Sequence, residues 1–379
     1  MRGLSVKRTL APAAAVLSLT LSALALAPTG TLAYAQSSAR AVTSAVAVNP
    51  TAHDVLLVLS DPPHAKLTFI GPSWRVTKAL GDVNAAPDYV GVSPDGKYAV
   101  VTMEGYTANE LEIFGGVNTR HPHLTARLKL PAAVYPEMAA LTADDQYAYV
   151  PGGGINGDTV GVFDGINTSH PKLVDSLLLN TPGINDSEPC GIAISPNGKY
   201  AYATDYAFGT LTVITGLESG APEMAPAVKI GQYPCRVWPS ANGKYLYKIN
   251  STGTKVTVLG DANSTSPRVL DSVKAGTEPD WIGVTPDGRY LYAPSGASDK
   301  VALLSNAESA HPKVIRTLTA GPGPLAVVVS PNGQYAYVSD LIDGRVTVYS
   351  RAQTGRPRTV NPPLKVAGQQ ELIFVARLP

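Results

Sequence analysis

The chain has 379 residues, with 30 Lys and Arg against 29 Asp and Glu and only two cysteines. It carries no basic patch or stripe, which argues against nucleic acid and anionic membrane surfaces as partners. Past an apolar run near the start, no further stretch of about 18 apolar residues follows, so no membrane span is expected.

Residues 1–35 read as a cleaved signal peptide. Arg2, Lys7 and Arg8 make a positive n-region, Ala11 to Ala27 an apolar h-region, and Ala33-Tyr34-Ala35 a small-x-small cleavage site. Cleavage removes three positive charges and no negative ones. The remaining 344 residues, Gln36 to Pro379, then carry 27 Lys and Arg against 29 Asp and Glu, a net of −2. The expected location is secreted, cell-envelope or periplasmic.

From there the chain repeats itself. Ser195-Pro196-Asn197-Gly198-Lys199-Tyr200 recurs as Ser93 to Tyr98, Ser240 to Tyr245, Thr285 to Tyr290 and Ser330 to Tyr335. A degraded copy runs from Thr142 to Tyr147, and a fainter one opens the series at Asn49 to Asp54. The last positions are 54, 98, 147, 200, 245, 290 and 335, separated by 44, 49, 53, 45, 45 and 45 residues. A unit of this length points to a solenoid or propeller.

Each unit has an apolar run such as Ile192 to Ile194, an Asx-Gly turn, and a period-two run such as Tyr200 to Thr204. Asx-Gly between two such runs is a hairpin signal, because glycine accepts the positive φ of the turn. Two more short runs complete a four-stranded unit, and seven units make an all-β, seven-bladed propeller of four-stranded antiparallel blades. Residues 36–379 are therefore expected to form one domain and a monomer. Glu371 to Ala376 repeats the register of Pro324 to Val329 and predicts an extra inner-type strand at the C-terminus. Thr43 to Val48 offers an inner strand to the first blade, so the two termini compete for one place or lie side by side.

The repeat resembles the YVTN family of β-propellers, a pattern shared by bacterial lactonase-type seven-bladed propellers. The tetrad itself is altered, as in Tyr202-Ala203-Thr204-Asp205 and Tyr337-Val338-Ser339-Asp340. The resemblance covers the whole mature chain and implies the fold; a propeller hosts many unrelated activities.

Strand direction sorts the loops into two faces. The bottom holds the Pro-Asx-Gly turns and a recurring His-Pro, at His121, His170 and His311, read as structural turns because equivalent positions in different blades are too far apart to share a metal. The insertions fall on the top, within 103–109, 130–135, 151–158 and 180–189, and loops that grow on one face of a repeat protein often mark the binding face.

Six blades carry a proline seven residues before the turn, and the residues after it ring the top mouth of the central channel. They are Asp88, Glu137, Cys190, Cys235, Asp280 and Leu325, then Tyr89, Met138, Gly191, Arg236, Trp281 and Ala326, with Ser44 and Ala45 expected to complete the ring. Asp88, Glu137, Asp280 and Arg236 form the candidate polar set, with Tyr89 and Trp281 as apolar walls. The carboxylates could hold a divalent cation through oxygen ligands or supply a general base of raised pKa; no metal ligand or catalytic residue is assigned beyond that. Cys190 and Cys235 occupy equivalent positions in adjacent blades, and in an exported protein they are expected to form a disulfide.

Two functions follow. One is an exported propeller that binds a small ligand, glycan or partner protein at this mouth. The other is a lactonase-like hydrolase or cyclase acting on a small lactone or ester.

Overall fold

One turn is built the same way on blade after blade. Ser195 Oγ donates to Asn197 Oδ1 at 2.7 Å, the same Oδ1 accepts the Lys199 amide at 3.0 Å, and Ser195 Oγ accepts the Tyr200 amide at 3.0 Å. The short Asx side chain thus replaces a backbone turn partner, and Gly198 closes it at φ 70°. Ser93, Ser240, Thr285 and Ser330 repeat the arrangement. In the degraded copy Thr142 still donates to Asp144, and Asp145 takes glycine's place at φ 61°.

A computed structural model describes residues 54–60, 65–71, 73–80, 85–105, 109–130, 135–153, 159–179, 189–250, 253–366 and 370–377. The expected signal peptide, the Thr43 to Val48 strand, Ser44, Ala45 and much of the top-face insertions lie outside them. No helix among the described residues is long and apolar enough to cross a membrane.

The strands form seven antiparallel sheets, and in six of them this turn leads from the inner strand to the second. Blade 5 is representative, with Pro234–Pro239 innermost, then Leu246–Asn250, Lys255–Gly260 and Arg268–Lys274 outermost. In blade 3 the inner strand is split into Tyr135–Pro136 and Ala140–Leu141, and in blade 4 the outer one into Glu223–Met224 and Val228–Lys229. His121, His170 and His311 are exposed in the turns before the outer strands, where their backbone amides donate to Thr119, Thr168 and Ser309.

Ring closure uses the C-terminus. Gln370–Arg377 is the inner strand of blade 1 and pairs antiparallel with Asp54–Ser60, from Asp54 opposite Arg377 to Leu59 opposite Leu372. The place offered to Thr43 to Val48 is therefore filled from the other end of the chain, which fastens the last blade to the first.

Neighbouring blades are held by the repeat tyrosine. Tyr149, Tyr202 and Tyr292 are buried and donate to the carbonyls of Leu217, Ala262 and Ala352 at 2.9, 2.7 and 2.8 Å; Tyr247 donates likewise to Ala307. Each acceptor lies in the next blade. The ring buries its apolar face and its hydroxyl finds a partner, as a buried tyrosine requires.

Candidate functional site

The inner strands break their pairing at the top mouth. Pro87 pairs with Met103 and Tyr89 with Thr102, which leaves Asp88 as the extra residue of a β-bulge. Cys190 is skipped in the same way between Pro189 and Gly191, and Cys235 between Pro234 and Arg236. In blade 6 Pro279 bridges Ser295, and regular pairing resumes only at Gly283. Proline opens the inner strands Pro189–Ile194, Pro234–Pro239 and Pro324–Val329 without losing a ladder donor, and the bulge after it turns the next side chains away from the sheet. The ring read from the sequence is thus set by local departures from regular pairing.

These departures bring Asp88, Tyr89, Arg236, Asp280 and Trp281 together. Tyr89 stacks on Trp281 with ring centroids 6.0 Å apart and 23° between planes. Trp238 meets Trp281 edge-on, at 5.6 Å and 62°. The Arg236 guanidinium lies 5.1 Å from the Trp281 ring centroid, within cation–π range. Below this aromatic layer an apolar cavity of about 480 Å³ runs past Met138, Ile192 and Val237 to the turn residues Pro94 and Pro196. Charge therefore sits above the layer, and apolar wall below it.

The electrostatics of the cluster are mutual. Burial opposes the charge of Arg236, but Cys235, Asp88 and Asp280 outweigh it and hold the guanidinium above its usual range. Burial pushes Asp280 up to about 6, with Arg236 opposing and Glu278 adding. Tyr89 is raised by burial, partly offset by Arg236. The buried Nε of Arg236 has no hydrogen-bond partner among the described residues. A buried donor left unmatched by protein costs stability and is open to an acceptor from outside the protein.

Glu137 meets this group at the cysteines, where its charge and that of Arg236 both act on the Cys190 thiol. Its backbone accepts from Thr102 Oγ1 at 2.7 Å. Cys190 and Cys235, the pair expected to form a disulfide, do come together, and both are free thiols in this structure. Cys190 Sγ is turned onto the Cys235 carbonyl, 3.2 Å away. Among the described residues no three His, Cys, Asp or Glu side chains are grouped to hold a metal.

Trp238 was missed by the ring count, although it is the only large side chain four residues after the strand proline; the equivalents are Gly91, Ala140, Ala193, Gly283 and Val328. The rim carries a second signal. Tyr233 and Glu278, each directly before a strand proline, have φ of 49° and 51°, and Tyr233 packs on Tyr206 at 5.0 Å. Left-handed backbone at non-glycine residues is uncommon and clusters at functional sites.

The family described as lactonase, seven-bladed β-propeller matches residues 116–361. No curated protein matches the sequence. Among solved structures, a candidate 6-phosphogluconolactonase from Bacteroides uniformis superposes with a TM-score of 0.68 at 19% identity, covering 86% of this chain and 99% of that one. The periplasmic gluconolactonase of Pseudomonas aeruginosa gives 0.68 at 16% identity, with 86% and 100% covered. A protein from Lactobacillus plantarum gives 0.69 at 14%, with 85% and 99% covered. At these identities the likeness is one of fold.

Proposed function

Because this chain belongs to the lactonase seven-bladed β-propeller family, we propose that it hydrolyses a small lactone at the top mouth of the channel. Family membership favours this over an exported binder of a ligand, glycan or protein. The observation that carries it is the Arg236 guanidinium, fixed on Trp281 with a buried, unmatched Nε, beside Asp280 with its pKa near 6.

The chemistry needs a base and an oxyanion donor. Above pH about 6 the Asp280 carboxylate takes a proton from water, and the resulting hydroxide adds to the lactone carbonyl. Arg236 donates to the oxygen that gains charge, in a setting where water competes weakly. The tetrahedral intermediate then collapses, the ring C–O bond breaks, and Asp280 returns its proton to the leaving alkoxide. The product is an open hydroxy acid. Tyr89 and Trp281 give the substrate ring an apolar floor, and Asp88 and Glu137 line the rest of the mouth.

The substrate class follows from charge. Three carboxylates and one arginine suit a neutral, hydroxyl-rich lactone better than a phosphorylated one, since a phosphate would meet net negative charge. A neutral sugar lactone is our reading, with residues 1–35 as the export signal, the YVTN-type repeat domain at 36–379, and a secreted or periplasmic location. The test is lactone opening followed by pH-stat on the protein from Gln36 onward, with a neutral aldonolactone and its phosphate ester. Arg236→Met and the Asp88→Asn, Asp280→Asn double variant should each lose about 100-fold or more, by the usual worth of an oxyanion donor or a base. Folded variants with full turnover, alongside a dead His170→Ala, would move the site to the bottom face.

A further inference from the structure

The two cysteines are placed for more than packing. They are the second residues of adjacent inner strands, Pro189–Ile194 and Pro234–Pro239. Those strands approach so closely that a Cβ on Gly191 would lie 2.2 Å from the Cys235 carbonyl. Cys190 Sγ is 3.2 Å from that carbonyl and 3.6 Å from the carbonyl of Pro234. Cys190 is buried, 7% exposed, while Cys235 is half-buried at the mouth next to Arg236.

The pair is asymmetric. A hydrogen bond from the Cys190 thiol, with the charge of Arg236, holds the Cys235 thiol below its usual range against the effect of burial. Burial pushes the Cys190 thiol well up. An accessible, thiolate-prone cysteine with a second thiol directly behind it is the arrangement that thiol–disulfide exchange uses.

We propose that Cys235 and Cys190 form a reversible exchange site at the channel mouth, with Cys235 as attacking and Cys190 as resolving thiol, and a small disulfide as co-reactant. The Cys235 thiolate attacks one sulfur of the small disulfide, its S–S bond breaks, and one small thiolate leaves. Cys190 then gives up its proton to solvent and attacks Cys235 Sγ, expelling the second small thiolate. The protein loses two hydrogens and gains one S–S bond, and the small disulfide is reduced to two thiols. A small dithiol reverses both steps. Closure removes the sulfur charge beside Arg236, so it changes the potential at the substrate's acceptor. That last consequence rests on the lactonase reading of the mouth; the exchange does not.

The test treats the reduced protein from Gln36 onward with excess glutathione disulfide at pH 7 and reads intact mass and thiol content after denaturation. Wild type should lose two hydrogens and retain no glutathione, and dithiothreitol should restore both thiols. Cys190→Ser should keep one glutathione on Cys235, and Cys235→Ser should take up at least tenfold less. Should a variant fail to fold, limited alkylation of reduced wild type followed by peptide mapping should still mark Cys235 well before Cys190. A wild-type protein that keeps its glutathione, stays fully reduced, or is alkylated first at Cys190 would overturn the proposal. Lactone turnover of the reduced and closed forms is read separately: absence of turnover in both sinks the lactonase reading and leaves the mass result standing, whereas equal turnover removes only the coupling.

Discussion

Replacing Asp280 by Asn should make the protein more stable and less active. The folded structure raises this acid from 3.8 to about 6, mainly by burial. Between those values the native state binds the proton that the unfolded chain has released. Stability linked to Asp280 is thus greatest below pH about 4, falls as pH rises towards 6, and stays low above it. The shift of roughly two units, at about 1.4 kcal/mol each, amounts to a penalty of about 3 kcal/mol at pH 7.5. Asparagine keeps the volume and removes the charge, so it recovers up to that amount. With unfolding entropy near 2 cal/mol/K per residue, roughly 300 ordered residues turn about 3 kcal/mol into a Tm gain of about 5 °C. Calorimetry of both proteins at pH 7.5 and pH 4 measures the gain and its disappearance, and pH-stat on the same samples measures lactone opening. An Asp280→Asn variant that is less stable than wild type at pH 7.5, or whose advantage persists unchanged at pH 4, would refute the argument. Stability gained as activity is lost is the expected trade at a site.

Three further outcomes test the frame around the site. Tyr292→Phe leaves the Ala352 carbonyl without its 2.8 Å donor in a buried blade interface and should cost about 1–3 kcal/mol, seen as a lower Tm. Lys248 is 1% exposed and burial lowers its pKa to about 8; the charging penalty is full at pH 7 and gone by pH 10.5, so Lys248→Met should raise Tm more at pH 7 than at pH 10. Ending the chain before Gln370 removes the inner strand of blade 1 and bares the edge of Asp54–Ser60; thermal scans and size-exclusion should find a markedly lower Tm and aggregation, and an unchanged Tm would mean that the strand does not close the ring.

Much of this molecule is local and therefore readable along the chain. The Ser-Pro-Asx-Gly turn depends on contacts within six residues, so its six copies from Ser93 onward announce six hairpins and the blade period. The strand prolines mark the mouth for the same reason, and counting from them finds Asp88, Arg236, Asp280 and Trp281. What folding decided lies between blades. That Gln370–Arg377 takes the inner place of blade 1 is a choice between chain ends more than 300 residues apart in sequence, which the closed ring alone settles. That Glu137 acts on Cys190 while Asp88 and Asp280 act on Arg236 depends on how bulges in different blades aim their side chains. The state of the two thiols depends on it too. Equivalent sequence positions put Cys190 and Cys235 on adjacent strands, and the packing of one strand on the next brings the Cys190 thiol onto the Cys235 thiol and within 3.2 Å of the Cys235 carbonyl.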